Sequence, residues 1–244
     1  MRPSPAVLPQ TCPNRCRPVA RPVSVSLPKP CLCLVTDRTV IKGGRGDLVE
    51  RVTQAVLGGV DLVQVREKDL PGAELLELAG SLLEAIGGRA KLIVNERADV
   101  ALAAGALGVQ LGENGLPVNA ARKTVGSGAL IGRSVHSISG AVRAEADGAD
   151  FLVVGTMFAS RSHPGEEPAG PGLVRRISGN CRLPLIGIGG ITPENAPEVI
   201  EAGASGVAVI TSILAAPDPK AAAARLKAAI CEAWRLRVNP AGVG

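Results

Sequence analysis

The sequence predicts an α/β protein folded as a single (β/α)8 TIM barrel. From Cys31 onward, short runs of Val, Ile and Leu alternate eight times with helix-period stretches. That is the pattern of a parallel sheet built from right-handed βα units. A repeat marks every second unit. Gly59-Val60-Asp61-Leu62-Val63-Gln64, Gly105-Ala106-Leu107-Gly108-Val109-Gln110, Gly148-Ala149-Asp150-Phe151-Leu152-Val153 and Gly203-Ala204-Ser205-Gly206-Val207-Ala208 each end a helix at Gly, turn a corner and enter a strand. Duplicated βα pairs closing into a ring would show this recurrence. The length of 244 residues is close to the roughly 250 typical of one such barrel. A doubly wound open sheet is the alternative, but no Gly-x-Gly-x-x-Gly follows the first strand.

The first strand is expected over residues 32–36, followed by Asp37-Arg38 and a helix over 47–57. The second strand, 62–65, leads to a helix opened by Pro71 with Leu75, Leu76, Leu78, Leu82 and Leu83 on its buried face. Strand three covers 91–94, with a short helix through Ala104, and strand four covers 109–111, with a helix opened by Pro117. Strand five, 130–134, precedes a helix over 139–146. Strand six, 151–154, precedes a long loop, 155–172, and the sixth helix. Strand seven, 185–188, ends at Gly189-Gly190. There Thr192 is expected to cap a helix with Pro193 first and Glu194 in its first turn. Strand eight, 206–209, runs into Thr211-Ser212, and a helix over 220–235 closes the chain.

With one Trp, two Phe and no Tyr, the core must be aliphatic, as suits strands buried on both faces. The net charge of +5 comes from dispersed Lys and Arg with few aromatics for base stacking, which argues against nucleic acid and leaves acidic small molecules as partners. No apolar run approaches the roughly 20 residues of a membrane span. Residues 1–28 hold seven prolines and several arginines and lack the apolar stretch of a secretory signal. They are expected to be a disordered extension before a barrel over 29–237 and a tail over 238–244. The six cysteines show no zinc-site spacing and are expected to be reduced thiols in a cytoplasmic protein.

Active sites of such barrels lie at the C-terminal ends of the strands. Gln64, Arg66 and Lys68 alternate past strand two and so point to one side, where one amide and two cations suit a pyrophosphate or carboxylate. Asn95 and Glu96 follow strand three, and Glu113 and Asn114 follow strand four. Ser134 and His136 follow strand five, and the imidazole is the candidate general acid or base. Ser160, Ser162 and His163 lie on the longest loop. The corners after strands seven and eight, with Gly189, Gly190, Ile210 and Thr211, are candidates for gripping a phosphate through backbone N–H groups.

From about Leu32 to Leu214 the chain resembles the thiamine-phosphate synthase/TenI family. The residues that carry this are Val35-Thr36-Asp37-Arg38, Gln64-Val65-Arg66-Glu67-Lys68, Asn95-Glu96-Arg97-Ala98-Asp99, Val109-Gln110-Leu111-Gly112, Ser134-Val135-His136-Ser137, Gly189-Gly190-Ile191-Thr192 and the stretch 206–213. The resemblance implies thiamin biosynthesis on a phosphorylated thiazole, by one of two reactions. One is a cofactor-free thiazole tautomerisation, with His136 moving the proton and Arg66 holding a carboxylate. The other is the synthase reaction, which couples hydroxymethylpyrimidine pyrophosphate to thiazole phosphate with Mg²⁺ and releases pyrophosphate. Gln64, Arg66, Lys68 and Asn95 match the synthase's substrate-binding Gln-x-Arg-x-Lys and third-loop Asn, and Gly189, Gly190, Ile210 and Thr211 would hold the thiazole phosphate. Glu96 would serve the metal. Three positions depart from the synthase pattern: Glu96 and Gly115 stand where it has aspartates, and His163 where it has a lysine. Fewer charged ligands weaken a pyrophosphate site, so the tautomerase is the first expectation, the synthase the second and a non-catalytic thiazole-phosphate binder the third. No nucleic acid or membrane partner is expected, and a homo-oligomer is admitted.

Overall fold

The structure is a computed structural model that describes residues 26–159 and 167–239. Eight parallel strands close into a barrel: β1 (Cys31–Val35), β2 (Leu62–Val65), β3 (Lys91–Asn95), β4 (Gly108–Leu111), β5 (Leu130–Val135), β6 (Phe151–Val154), β7 (Leu185–Ile188) and β8 (Gly206–Val209). Each strand pairs with its sequence neighbours, and β8 pairs with β1 through Leu32↔Val207 to complete the ring. Helices α1 (Gly44–Leu57), α2 (Gly72–Ile86), α3 (Ala98–Ala104), α4 (Val118–Val125), α5 (Ile138–Ala146), α6 (Gly170–Ser178) and α7 (Ala196–Glu201) surround it, with α8 (Thr211–Leu214) and α9 (Pro219–Val238) after β8.

Outward-facing strand residues such as Leu32, Leu34, Val63 and Val94 pack beneath the helices in the larger aliphatic core. Inward-facing residues fill the lumen, where Cys31, Cys33, Leu62, Ile93, Phe151 and Ile186 form a second cluster. Phe151, the largest fully buried side chain, fits because Gly132 on the neighbouring strand has no Cβ to meet its ring. Burial pushes the Cys31 thiol up to about 12 and the Cys33 thiol well above its ordinary value, so these are inert packing groups.

The sequence repeat is a structural repeat. Gly59, Gly105, Gly148 and Gly203 have φ of 108°, 67°, 88° and 117°, where a side chain would be strained. In each case the next residue donates its N–H five residues back: Val60 to Ala55, Ala106 to Ala101, Ala149 to Ala144 and Ala204 to Val199, at 3.0–3.2 Å. These are helix-ending Schellman closures. In the β2 and β6 units a following aspartate then clasps a strand two elements back, with Asp61 accepting from Leu32 N and Asp150 from Ile131 N, both at 2.7 Å.

Several sequence expectations shift. Leu27, assigned above to the disordered extension, is 8% exposed and plugs the lumen cluster. The ordered unit therefore starts before Pro28, and residues 1–25 lie outside the described part. At the other end α9 continues to Val238. Leu76 is exposed on α2, whose buried face is Leu75, Leu78, Ala79, Leu82 and Ile86. Helix α7 begins at Ala196 instead of Pro193. The Asn195 side chain accepts from Thr192 N at 2.8 Å and donates to Gly190 O at 3.0 Å, so it closes a turn where the helix was expected. Residues 211–214, expected only as a strand end, form the single turn α8.

Candidate active site

A cavity of about 340 Å³ opens at the C-terminal mouth of the barrel. One inward residue from each strand forms its floor. On β2 to β5 these are Gln64, Asn95, Gln110 and Ser134. On β1 and β6 to β8 they are Val35, Val153, Ile188 and Ala208. The floor is thus divided into a polar arc and an apolar arc. Within the polar arc Gln64 Nε2 donates to Asn95 Oδ1 at 3.1 Å, and Gln110 Nε2 donates to Ser134 Oγ at 3.1 Å. Gln110 Oε1 is buried without a partner among the described residues. A flat heteroaromatic ring with polar atoms along one edge suits such a floor.

Two cations rise beside the polar arc. Arg66 and Lys68 follow β2 and line the cavity together with Gln64, as their alternation predicts. Thr36, just past β1, accepts from Arg66 N at 2.9 Å and ties the start of this segment to the neighbouring strand.

The glycine-rich corner follows β7, above the apolar arc. Gly189 and Gly190 have φ of 105° and 62°, and a Cβ on Gly190 would meet Ala159 O at 2.5 Å. The N–H groups that open α8 at Thr211 and Ser212 have no acceptor within their own first turn. Both corners line the same cavity, and Ser212 Oγ donates to Ile191 O at 2.5 Å across them. Such N–H groups are suited to a dianion.

His136 lies past β5 with its Nδ1 2.7 Å from Glu113 Oε2. A carboxylate at that distance fixes the ring's orientation and tautomer. From the outer face of β5, Arg133 donates to Glu113 O at 2.6 Å and to Leu116 O at 2.8 Å, holding the fourth loop. Glu96 also reaches this loop, where its Oε1 accepts from Gly112 N at 3.1 Å.

Gln64, Arg66, Lys68, Asn95, Glu96, Ser134, His136, Gly189, Gly190, Ile210 and Thr211 therefore line one cavity. Ser160, Ser162 and His163 lie outside the described residues. Reading the sequence did not single out Gln110, although a polar residue between Val109 and Leu111 in an apolar strand is a signal for a lumen role. It also missed the pairing of Glu113 with His136 and the brace from Asn195, which join residues distant in sequence or hidden in a turn.

The fold and mouth define the class: a (β/α)8 barrel with a cavity at the C-terminal ends of its strands lined by an amide-rich arc, two cations and a glycine-rich corner. Within that class, the chain belongs to the family described as thiamine monophosphate synthase, whose model matches residues 32–213. It is 45% identical over 207 residues to the thiamine-phosphate synthase of Methanoculleus marisnigri, covering 83% of this chain and 96% of that one. It is 43% identical over 197 residues to the thiamine-phosphate synthase of Moorella thermoacetica, covering 80% and 93%. The solved thiamine phosphate pyrophosphorylase from Pyrococcus furiosus is similar, with a TM-score of 0.75 and 34% identity over 83% of this chain and 96% of that one. The chain is thus an enzyme of thiamin biosynthesis. The relatives' names favour the synthase over the tautomerase, reversing the order expected from the sequence. Among the described residues no helix is long and apolar enough to cross a membrane.

Proposed function

We propose that this chain is a thiamine-phosphate synthase. The carrying observation is that one mouth is lined both by the Arg66/Lys68 pair and by the Gly189-Gly190 and Thr211 corners, two features each suited to an anion, in a chain 45% identical to a synthase. In this reading the cation pair takes the pyrophosphate of hydroxymethylpyrimidine pyrophosphate and the backbone corner takes the thiazole phosphate. The polar arc of Gln64, Asn95, Gln110 and Ser134 holds the edge of the pyrimidine. The bond between the exocyclic carbon and the pyrophosphate oxygen breaks, a bond from that carbon to the thiazole nitrogen forms, and pyrophosphate leaves. Arg66 and Lys68 stabilise the charge that develops on the leaving group.

No cluster of three or more His, Cys, Asp or Glu able to hold a metal exists among the described residues. Mg²⁺ is commonly held by one or two carboxylates together with substrate phosphates, and Glu96 and Glu113 line the same cavity. That donor set fits. Glu96 would hold Mg²⁺ against the pyrophosphate, with Glu113, which pairs with His136, the second carboxylate in the same cavity. The metal, when bound, neutralises charge on the leaving group.

The thiazole tautomerase remains the second reading, favoured by the 2.7 Å contact between His136 and Glu113. One assay separates the two. Purified protein given both substrates and Mg²⁺ should release pyrophosphate only when both are present. Tautomerisation without metal, lost in His136→Ala and unaccompanied by coupling, would replace the proposal.

A further inference from the structure

The segment after β2 interleaves cations and acids: Arg66, Glu67, Lys68, Asp69. It is neither strand nor helix, so no ladder enforces which side chains turn toward the cavity. Arg66 and Lys68 nonetheless line it, while Glu67 and Asp69 turn to Arg38. The Arg38 guanidinium grips Asp69 with both amino groups, at 2.7 and 2.5 Å. It also donates to Glu67 Oε2 at 3.1 Å, and its backbone N–H meets the same oxygen at 3.2 Å. The Glu67 side chain is only 2% exposed, and its other oxygen is buried without a partner among the described residues. A buried carboxylate in that state depends on its one cation.

We infer that Arg38 is a positioning residue for the anion-binding wall: by occupying Glu67 and Asp69 it keeps Arg66 and Lys68 turned to the ligand. Without Arg38 the two acids would take the cations beside them as partners and compete with the ligand's own charge. This rests on Arg66 and Lys68 being the pyrophosphate grip. Arg38 itself does not line the cavity, and a lysine in its place cannot bridge both acids with a planar fork.

The test is calorimetric binding of inorganic pyrophosphate in the presence of Mg²⁺ to the full chain. Arg38→Ala should weaken binding at least ~10-fold, because small displacements of positioned groups are costly. Arg38→Lys should fall between it and the wild type. Adding Glu67→Gln and Asp69→Asn to Arg38→Ala should restore most of the lost affinity, since the competing charges are gone. A merely structural role predicts further weakening in that triple variant, so failure to recover overturns the assignment, as does unchanged binding by Arg38→Ala. Should Arg38→Ala fail to fold, the same comparison is made on Arg38→Lys. If the wild-type chain does not bind pyrophosphate, the synthase reading falls and the role of Arg38 with it.

Discussion

Glu96 is the single non-glycine residue with positive φ among the described residues, at 58°. Strain of this kind is concentrated at functional sites. Its carboxylate occupies the space that side chains at positions 112 and 115 would fill, since a Cβ on Gly112 would meet Glu96 Oε1 at 2.6 Å and one on Gly115 at 2.5 Å. Glu96 and Gly115, which look like two separate losses in the sequence, are thus one arrangement: the longer acid uses the room the glycine leaves. Gly115→Ala displaces chiefly the flexible end of Glu96 and also crowds the Gly112 backbone at 3.2 and 3.3 Å, so the predicted stability cost is about 1 kcal/mol. The Mg²⁺ concentration for half-maximal activity should rise roughly tenfold, as for other changes around metal ligands. A titration showing no rise would separate Glu96 from the metal. A second prediction concerns thiols. Cys31, Cys33 and Cys181 are buried and Cys231 is exposed, and burial lifts the thiol of each of the three above its ordinary value. A raised value leaves little thiolate at pH 8, so of these four Cys231 alone should be labelled by a thiol reagent there, as mapped by mass spectrometry. Labelling of Cys33 in the native protein would contradict the lumen packing.

At the level of elements, the helix-ending glycines carry the repeat. Gly148 has φ 88° and open space where a Cβ would go, so its substitution isolates backbone strain from crowding. Gly148→Ala should cost about 1 kcal/mol by denaturant unfolding, while Gly128→Ala, with open space and no positive φ, should cost nothing comparable. Equal effects would remove the conformational reason for the repeat. The lumen plug gives a further prediction. Leu27→Ala should destabilise by about 2 kcal/mol, the low end for a buried leucine. The strands were legible because each is a short aliphatic run between turn signals: the expected ranges for β2, β6 and β7 coincide with the observed ones. The misread elements were the short ones. A single turn such as α8 has no period to detect, and the start of α7 is decided by the Asn195 side chain folding back on Gly190.

Across the whole molecule, alternation along eight strands sorts residues into a helix-facing core and a lumen, and the top of the lumen divides into polar and apolar arcs. Sequence spacing revealed the cation pair and the glycine corners because each is local to one strand end. The contacts between loops were not legible, since His136 and Glu113, or Arg38 and Asp69, meet only once the barrel closes. The synthase reading requires two anions held at once in one mouth, by side chains after β2 and by backbone after β7 and β8. Phosphorus NMR with thiazole phosphate and inorganic pyrophosphate together tests this most directly. Both ligands should bind simultaneously, with Lys68→Ala losing pyrophosphate alone and Gly190→Val losing the thiazole phosphate alone. Mutual displacement of the two ligands, or loss of both in either variant, would contradict it.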